Sequence, residues 1–139
     1  MKLIIINGPN LNLLGIREKN IYGSKSFDSF FKELESKYKD ISLEKFQSNH
    51  EGEIIEKIQE VGFSYDGIII NAGGFTHTSI AIRDAIASVS TPCVEVHISN
   101  ILSREDFRQK SYLSEVSIWI ISGLGIKGYD LAIQHFTSK

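Results

Sequence analysis

Residues 2–7, KLIIIN, run without a break into GPNLNLLGIREKNIYGS at 8–24, and that junction decides how the chain is read. A run of strand length that is apolar on nearly every residue suits a strand covered on both faces, the habit of parallel sheets. Four further runs have strand length: SLEKFQ (42–47), GIIIN (67–71), CVEVHI (93–98) and SIWIIS (117–122). Between them, apolar residues recur at helical spacing. The stripes are Phe27, Phe30, Phe31, Leu34 and Tyr38; Ile54, Ile55, Ile58 and Val61; Ile82, Ala85, Ile86 and Val89; and Tyr129, Ala132, Ile133 and Phe136. Ser48 with Glu51 has capping-box spacing at the start of the second helix, and Ser103 with Asp106 offers a cap for a short helix before the last strand.

Alternating strands and helices predict βα units around a parallel sheet. Runs 1, 3, 4 and 5 read as central strands, whereas run 2, with Glu44, Lys45 and Gln47, belongs at an edge. The expected fold is α/β, a flavodoxin-like three-layer sandwich with a five-stranded parallel sheet of order 2-1-3-4-5. Its ligand would lie beyond the carboxyl ends of the strands, at the switch point between strands 1 and 3.

The 139 residues suit a single catalytic domain spanning 1–139, and 42% hydrophobic with 23% charged residues is ordinary globular composition. A net charge of -2 leaves no footprint for nucleic acid or an acidic membrane surface, so small molecules and other subunits are the expected partners. The lone Cys93 has no disulfide partner, the N-terminus runs straight into a strand, and no apolar run reaches the roughly 18 residues of a membrane span, which points to the cytoplasm. Cys93, after Thr91-Pro92 at the start of an apolar run, reads as a small buried residue rather than a nucleophile.

Three loops at the carboxyl ends concentrate polar and glycine residues: NGPNLNLLGIREKNIYGS, NAGGFTHTS and HISNILSREDFR. The loop after strand 5 holds GLGIKG (123–128), formally a dinucleotide fingerprint, but eleven residues remain after Gly128, too few for a second strand and a ribose-binding acid. Asn7 and Asn71 stand where a phosphoacceptor domain needs carboxylates, and NGPNLN is not the hydroxyl-rich phosphate loop of a flavodoxin. His50, His77, His97 and His135 lack close ligand spacing, so no metal is expected. Residues 8–25 make a loop of about eighteen residues, beyond the roughly 12–15 usual for structureless connections. Leu11, Leu13, Leu14 and Ile16 can pin its first half, leaving Arg17 to Tyr22 between Gly15 and Gly23 either as a lid or as a tolerated surface loop.

NGPNLNLLGIREKNIYG, NAGGFTHTSIAIRDA, VEVHISN and REDFRQKSYLS, in that order and ending in GLGIKGY, resemble the type II 3-dehydroquinate dehydratases over almost the whole chain. The resemblance implies dehydration of 3-dehydroquinate to 3-dehydroshikimate in the shikimate pathway, through an enolate and without Schiff base, metal or cofactor. It also implies a homo-oligomer built of trimers, usually a dodecamer. Carried over by position, Tyr22 is the base, His97 the acid, Arg17 the lid arginine, Asn10 the residue that places a water near the enolate, and Glu95 the carboxylate that orients His97. Asn71, His77, Ile98, Ser99 and Arg108 match substrate-binding positions, and Asp84 an acid supplied to a neighbouring subunit's site. Arg104, four residues before Arg108, reads as structural or as an interface residue.

This assignment is chemically coherent. A phenol with a reference pKa near 10 needs roughly 3 units, about 4 kcal/mol, to act as an anion near neutrality, and an adjacent arginine in a closed site supplies shifts of that order. Histidine, with a reference value of about 6.5, is a natural acid there. Many relatives carry a proline where Lys19 stands, so this lid is expected to be more mobile and its substrate binding weaker. Two readings from other classes stay open on the residues alone: a catalytically silent flavodoxin-like binding or assembly module, and a nucleotide-dependent oxidoreductase resting on GLGIKG.

Overall fold

The computed structural model describes residues 1–138. Strands β1 (Lys2–Asn7), β2 (Ser42–Gln47), β3 (Gly67–Asn71), β4 (Cys93–His97) and β5 (Trp119–Ser122) form one parallel sheet in the order β2-β1-β3-β4-β5. Helices α1 (Lys19–Tyr22), α2 (Phe27–Lys37), α3 (Glu51–Val61), α4 (Ile80–Ala87) and α5 (Lys127–Thr137) connect and cover it. The flavodoxin-like order read from the residues is the order observed.

The two faces follow from the period of a strand. Leu3, Ile5, Ile69, Val94 and Val96 pack under α2 and α5, against Phe27, Phe31, Leu34, Ile133 and Phe136. Their alternates Ile4, Ile6, Ile68, Ile70 and Cys93 pack under α3 and α4, against Ile54, Ile58, Ile82 and Ile86. Cys93 is buried, which pushes its thiol up to about 12 and leaves it inert as a nucleophile.

Helix starts depart from the expectation where a serine has other work. Ser26 and Ser79 do cap α2 and α4, accepting from the backbone N–H of Ser29 and Ile82. The Ser48–Glu51 capping box does not form. Ser48 N–H still belongs to the sheet, donating to the Asn7 carbonyl at 3.1 Å, so the helix begins only after His50 while Ser48 Oγ accepts from His50 N–H and donates to Glu53. Ser103 likewise does not cap residues 106–108; it donates to the Asn100 carbonyl, and the Asn100 side chain caps the turn at Ile101–Ser103 instead. Strand β5, as apolar as a central strand, lies at an edge, with Ile118, Trp119 and Ile120 respectively 49%, 59% and 48% exposed. The GLGIKG stretch is a turn: Gly123 and Gly125 take φ of +85° and +62°, Gly125 N–H bonds the Ile98 carbonyl, and Gly128 packs against Val96 and Ile121.

At the switch point, Asn7 of β1 and Asn71 of β3 are register partners. The wholly buried Tyr129 joins them from α5, its hydroxyl donating to Asn7 Oδ1 at 2.8 Å and accepting from Asn71 Nδ2 at 2.9 Å. Just beyond, Gly8 lies so close to the next loop that a Cβ there would sit 2.3 Å from the Ala72 carbonyl oxygen. Tyr129→Phe strands both amides in the core. We expect it to lower the unfolding free energy by about 1–3 kcal/mol, read as a lower urea midpoint at unchanged slope; an unmoved midpoint would show that the hydroxyl does not hold the junction.

Candidate active site

The carboxyl ends of β1, β3 and β4 surround a cavity of about 160 Å³. Asn10, Arg17 and Tyr22 reach it from the loop after β1, Asn71 and His77 from β3 and the turn after it, and His97, Ile98, Ser99 and Arg108 from β4 and the segment beyond. Its volume is below the roughly 300–1,000 Å³ of clefts for drug-sized ligands, so it suits a compact molecule. A larger hollow of about 310 Å³ lies between β2 and α2, but Lys45 and Asp28 in its wall satisfy each other, leaving no free charge to orient a ligand.

His97 ends β4, and the alternation of the strand puts Glu95 on the same face. Glu95 has no exposed surface, and His97 Nε2 lies 2.7 Å from its Oε2. With Nε2–H donated to the carboxylate, Nδ1 is the nitrogen left for the cavity. His77 stacks 6.3 Å from His97, centroid to centroid, and its Nδ1–H donates to the Lys110 carbonyl at 2.7 Å, which frees its Nε2. Partial burial is the main cause holding the His77 imidazole below its ordinary range; the Lys110 carbonyl acts against this and His97 and Arg108 add to it.

Tyr22 closes the other side. Its hydroxyl accepts a hydrogen bond from Arg104 Nη1 at 2.9 Å, and the same nitrogen donates to Ser99 Oγ at 3.2 Å. Arg17 pairs with Glu18 at 2.6 Å and lies over the Tyr22 ring, 4.8 Å from its centroid, without reaching the hydroxyl. Two cations thus flank the phenol, and the one on its oxygen is Arg104, which the sequence reading set aside as structural. The reason is local: Arg104 is extended (φ -104°, ψ -161°) between two short 3-10 turns, so it and Arg108 do not share a helix face and turn to different tasks. Arg108 Nε is held by Glu105, leaving its two terminal nitrogens for a planar anion. Asp84, on α4, is exposed, pairs with Arg83, and does not reach the cavity of its own chain. Among the described residues no group of three metal-ligating side chains exists.

The lid contains a left-handed residue, Glu18 (φ 43°, ψ 50°), directly before Lys19, the first residue of α1. Asn10, also left-handed at φ 70°, is exposed and receives no cap from its own side chain; its N–H donates to Asn49 Oδ1.

A family profile described as Dehydroquinase class II matches residues 1–137. The chain is 59% identical to the "3-dehydroquinate dehydratase" of Prochlorococcus marinus (strain MIT 9301), covering 96% of this chain and 92% of that protein. It is 51% identical to the protein of the same name from Thermotoga petrophila, covering 100% and 96%. Among solved structures, it superposes on the type II dehydroquinase of Butyrivibrio crossotus with a TM-score of 0.94 at 52% identity, and on that of Propionibacterium acnes with 0.93 at 36%, each covering 99% of this chain and 97% of the other.

Two expectations follow from the geometry. The folded state takes up a proton at His77 less readily than the unfolded chain, whose imidazole titrates near 6.5. Above that pH the group is neutral in both states; as pH falls from about 6.5 through the folded pKa, native stability is lost. Urea unfolding across that window should therefore slope less steeply in His77→Gln, and an unchanged slope would contradict it. Proline disfavours an α-type conformation in the residue before it, so Lys19→Pro should drive Glu18 toward extended backbone and change KM; kinetics with KM unchanged would show that the lid is indifferent to this residue.

Proposed function

We propose that this chain, which belongs to the Dehydroquinase class II family and carries 3-dehydroquinate dehydratase activity, works through an enolate that Tyr22 forms and His97 discharges. The reaction removes water from 3-dehydroquinate to give 3-dehydroshikimate, a step of the shikimate pathway. The observation that carries the mechanism is a tyrosine hydroxyl held by a guanidinium in the same small cavity as a histidine backed by a buried carboxylate.

Tyr22, as the anion, takes the proton from the carbon next to the substrate ketone. Arg104 on its oxygen and Arg17 over its ring favour that anion by charge, and the ring is held between them. The electron pair moves onto the ketone oxygen, where a water placed by Asn10 donates to the developing charge. His97, as imidazolium, then gives a proton to the departing hydroxyl, which leaves as water while the enolate collapses to the conjugated enone. Glu95 supports the imidazolium and fixes the ring. Arg108 takes the substrate carboxylate, with Asn71, His77, Ile98 and Ser99 around the ring.

An elimination moves no electrons to or from a carrier, so no cofactor takes part. Among the described residues no lysine lines the cavity, so an imine has no amine to form on. The enzyme works in the cytoplasm as a dodecamer of four trimers. The apolar β5 edge supports an assembly, and Asp84, exposed and outside its own cavity, supports a role at a neighbour's site.

Purified protein with 3-dehydroquinate and nothing else should produce the ultraviolet absorbance of the enone. Tyr22→Phe and His97→Gln should each lower kcat by about 100- to 10,000-fold, and Arg104→Ala should lower kcat as Arg17→Ala does. Survival of activity in Tyr22→Phe would remove the base from this scheme, and inactivation by borohydride in the presence of substrate would replace the enolate route with an imine. Light scattering should return twelve times the 15.6 kDa chain mass, and a monomer mass would sink the assembly.

A further inference from the structure

The charge on Glu95 is met by two hydroxyls as well as by His97. Ser111 Oγ lies 2.8 Å from Oε1 and 3.1 Å from Oε2, and Ser114 Oγ lies 3.1 Å from each. Each hydroxyl has a single proton, and both are directed at the carboxylate. Ser114 Oγ has no other partner among the described residues. Ser111 Oγ also accepts from the N–H groups of Leu113 and Ser114, at 3.1 and 3.2 Å, which ties the whole turn to the buried anion. The same few residues contain Arg108 in the cavity wall and the Lys110 carbonyl that holds His77.

We propose that Ser111 and Ser114 are positioning residues for the departure of the hydroxyl: by sharing the Glu95 charge they set how firmly Glu95 holds the proton on His97 and aim the ring at substrate. The proposal rests on His97 as the acid. A carboxylate that receives fewer hydrogen bonds concentrates its charge on the one donor left to it, here His97 Nε2–H, and favours the imidazolium. An acid held too tightly gives up its proton less readily, so full activity needs the two hydroxyls. The other charged or titratable groups around the pair are His77, stacked on His97, Arg17, Tyr22, Arg104 and Arg108 in the cavity wall, and Cys93 two residues back on β4. None of these contacts the serine hydroxyls, so changing a serine acts on His97 through Glu95.

The test is the titration of His97 in the intact enzyme, followed by NMR of histidine carrying ¹³C at Cε1, beside the pH profile of kcat. In Ser114→Ala the His97 midpoint should rise by about half a pH unit or more, and the basic limb of kcat should move up with it. Near neutral pH kcat should fall roughly tenfold with KM little changed. Ser114→Thr, which keeps the hydroxyl, should restore both. Ser111→Ala should act in the same direction, but it also removes two turn hydrogen bonds, so Ser114→Ala decides. An unmoved His97 midpoint in Ser114→Ala overturns the proposal, and so does a moved midpoint with an unmoved kcat profile. His97→Gln separates this from the premise: full activity there would remove His97 as the acid, whatever the serines do to its titration.

Discussion

A carboxylate with no access to water sits in the middle of β4, and the connection from β4 to β5 is built around it. An ionised group in a low-dielectric interior costs several kcal/mol unless its lone pairs are met by good donors. Glu95 is met by His97 on its own strand and by Ser111 and Ser114 from a turn that has to come back over the sheet to reach it. Leu113, wholly buried between those serines, closes the gap with apolar packing. This is why the connection is a chain of short 3-10 turns at Ile101–Ser103, Asp106–Arg108 and Ser114–Val116 and not a single covering helix. The detour also sets Arg104 and Arg108 on the rim of the cavity.

The opposite wall depends on a second polar junction inside the core. Tyr129 ties Asn7 to Asn71 at the point where the sheet divides, and the absent side chain of Gly8 lets the loop after β1 lie directly on the turn after β3. With both loops held at their roots, the remainder of the first loop can run out over the cavity and bring Tyr22 to Arg104, 82 residues away along the chain. The acid and the base therefore come from separate supports, one anchored by a buried charge and the other by a buried amide pair. Changes in one support need not disturb the other, which gives the two halves of an elimination separate structural control.

Much of this was legible beforehand. The period-2 and period-3.6 patterns are set by backbone geometry, so strands such as GIIIN and stripes such as Phe27, Phe30, Phe31 and Leu34 are marked by local spacing alone. The edge position of β2 was marked by Glu44, Lys45 and Gln47. Tyr22, Arg17, Asn10, His97 and Arg108 were marked by motif. Arg104 was not, because two arginines four apart read as one helical face, and only the extended backbone at Arg104 shows that they diverge. Ser111 and Ser114 were hidden for a related reason: serine is common in turns, and nothing in KSYLSE tells that both hydroxyls point inward at a charge on another element. Ser48 misled because its N–H was claimed by the sheet.

By itself the amino-acid order determined the element types, the parallel sheet and its order, and the family motifs at the strand ends, since each depends on residues near one another in sequence. Only the tertiary structure decided which cation meets the Tyr22 hydroxyl, which nitrogen of His97 is left for substrate, and what supports Glu95. Those are questions of direction and distance between side chains that approach from separate elements. A hydrogen bond is settled within a few tenths of an ångström, and that precision exists only once the sheet, its loops and the two buried polar junctions are in place together.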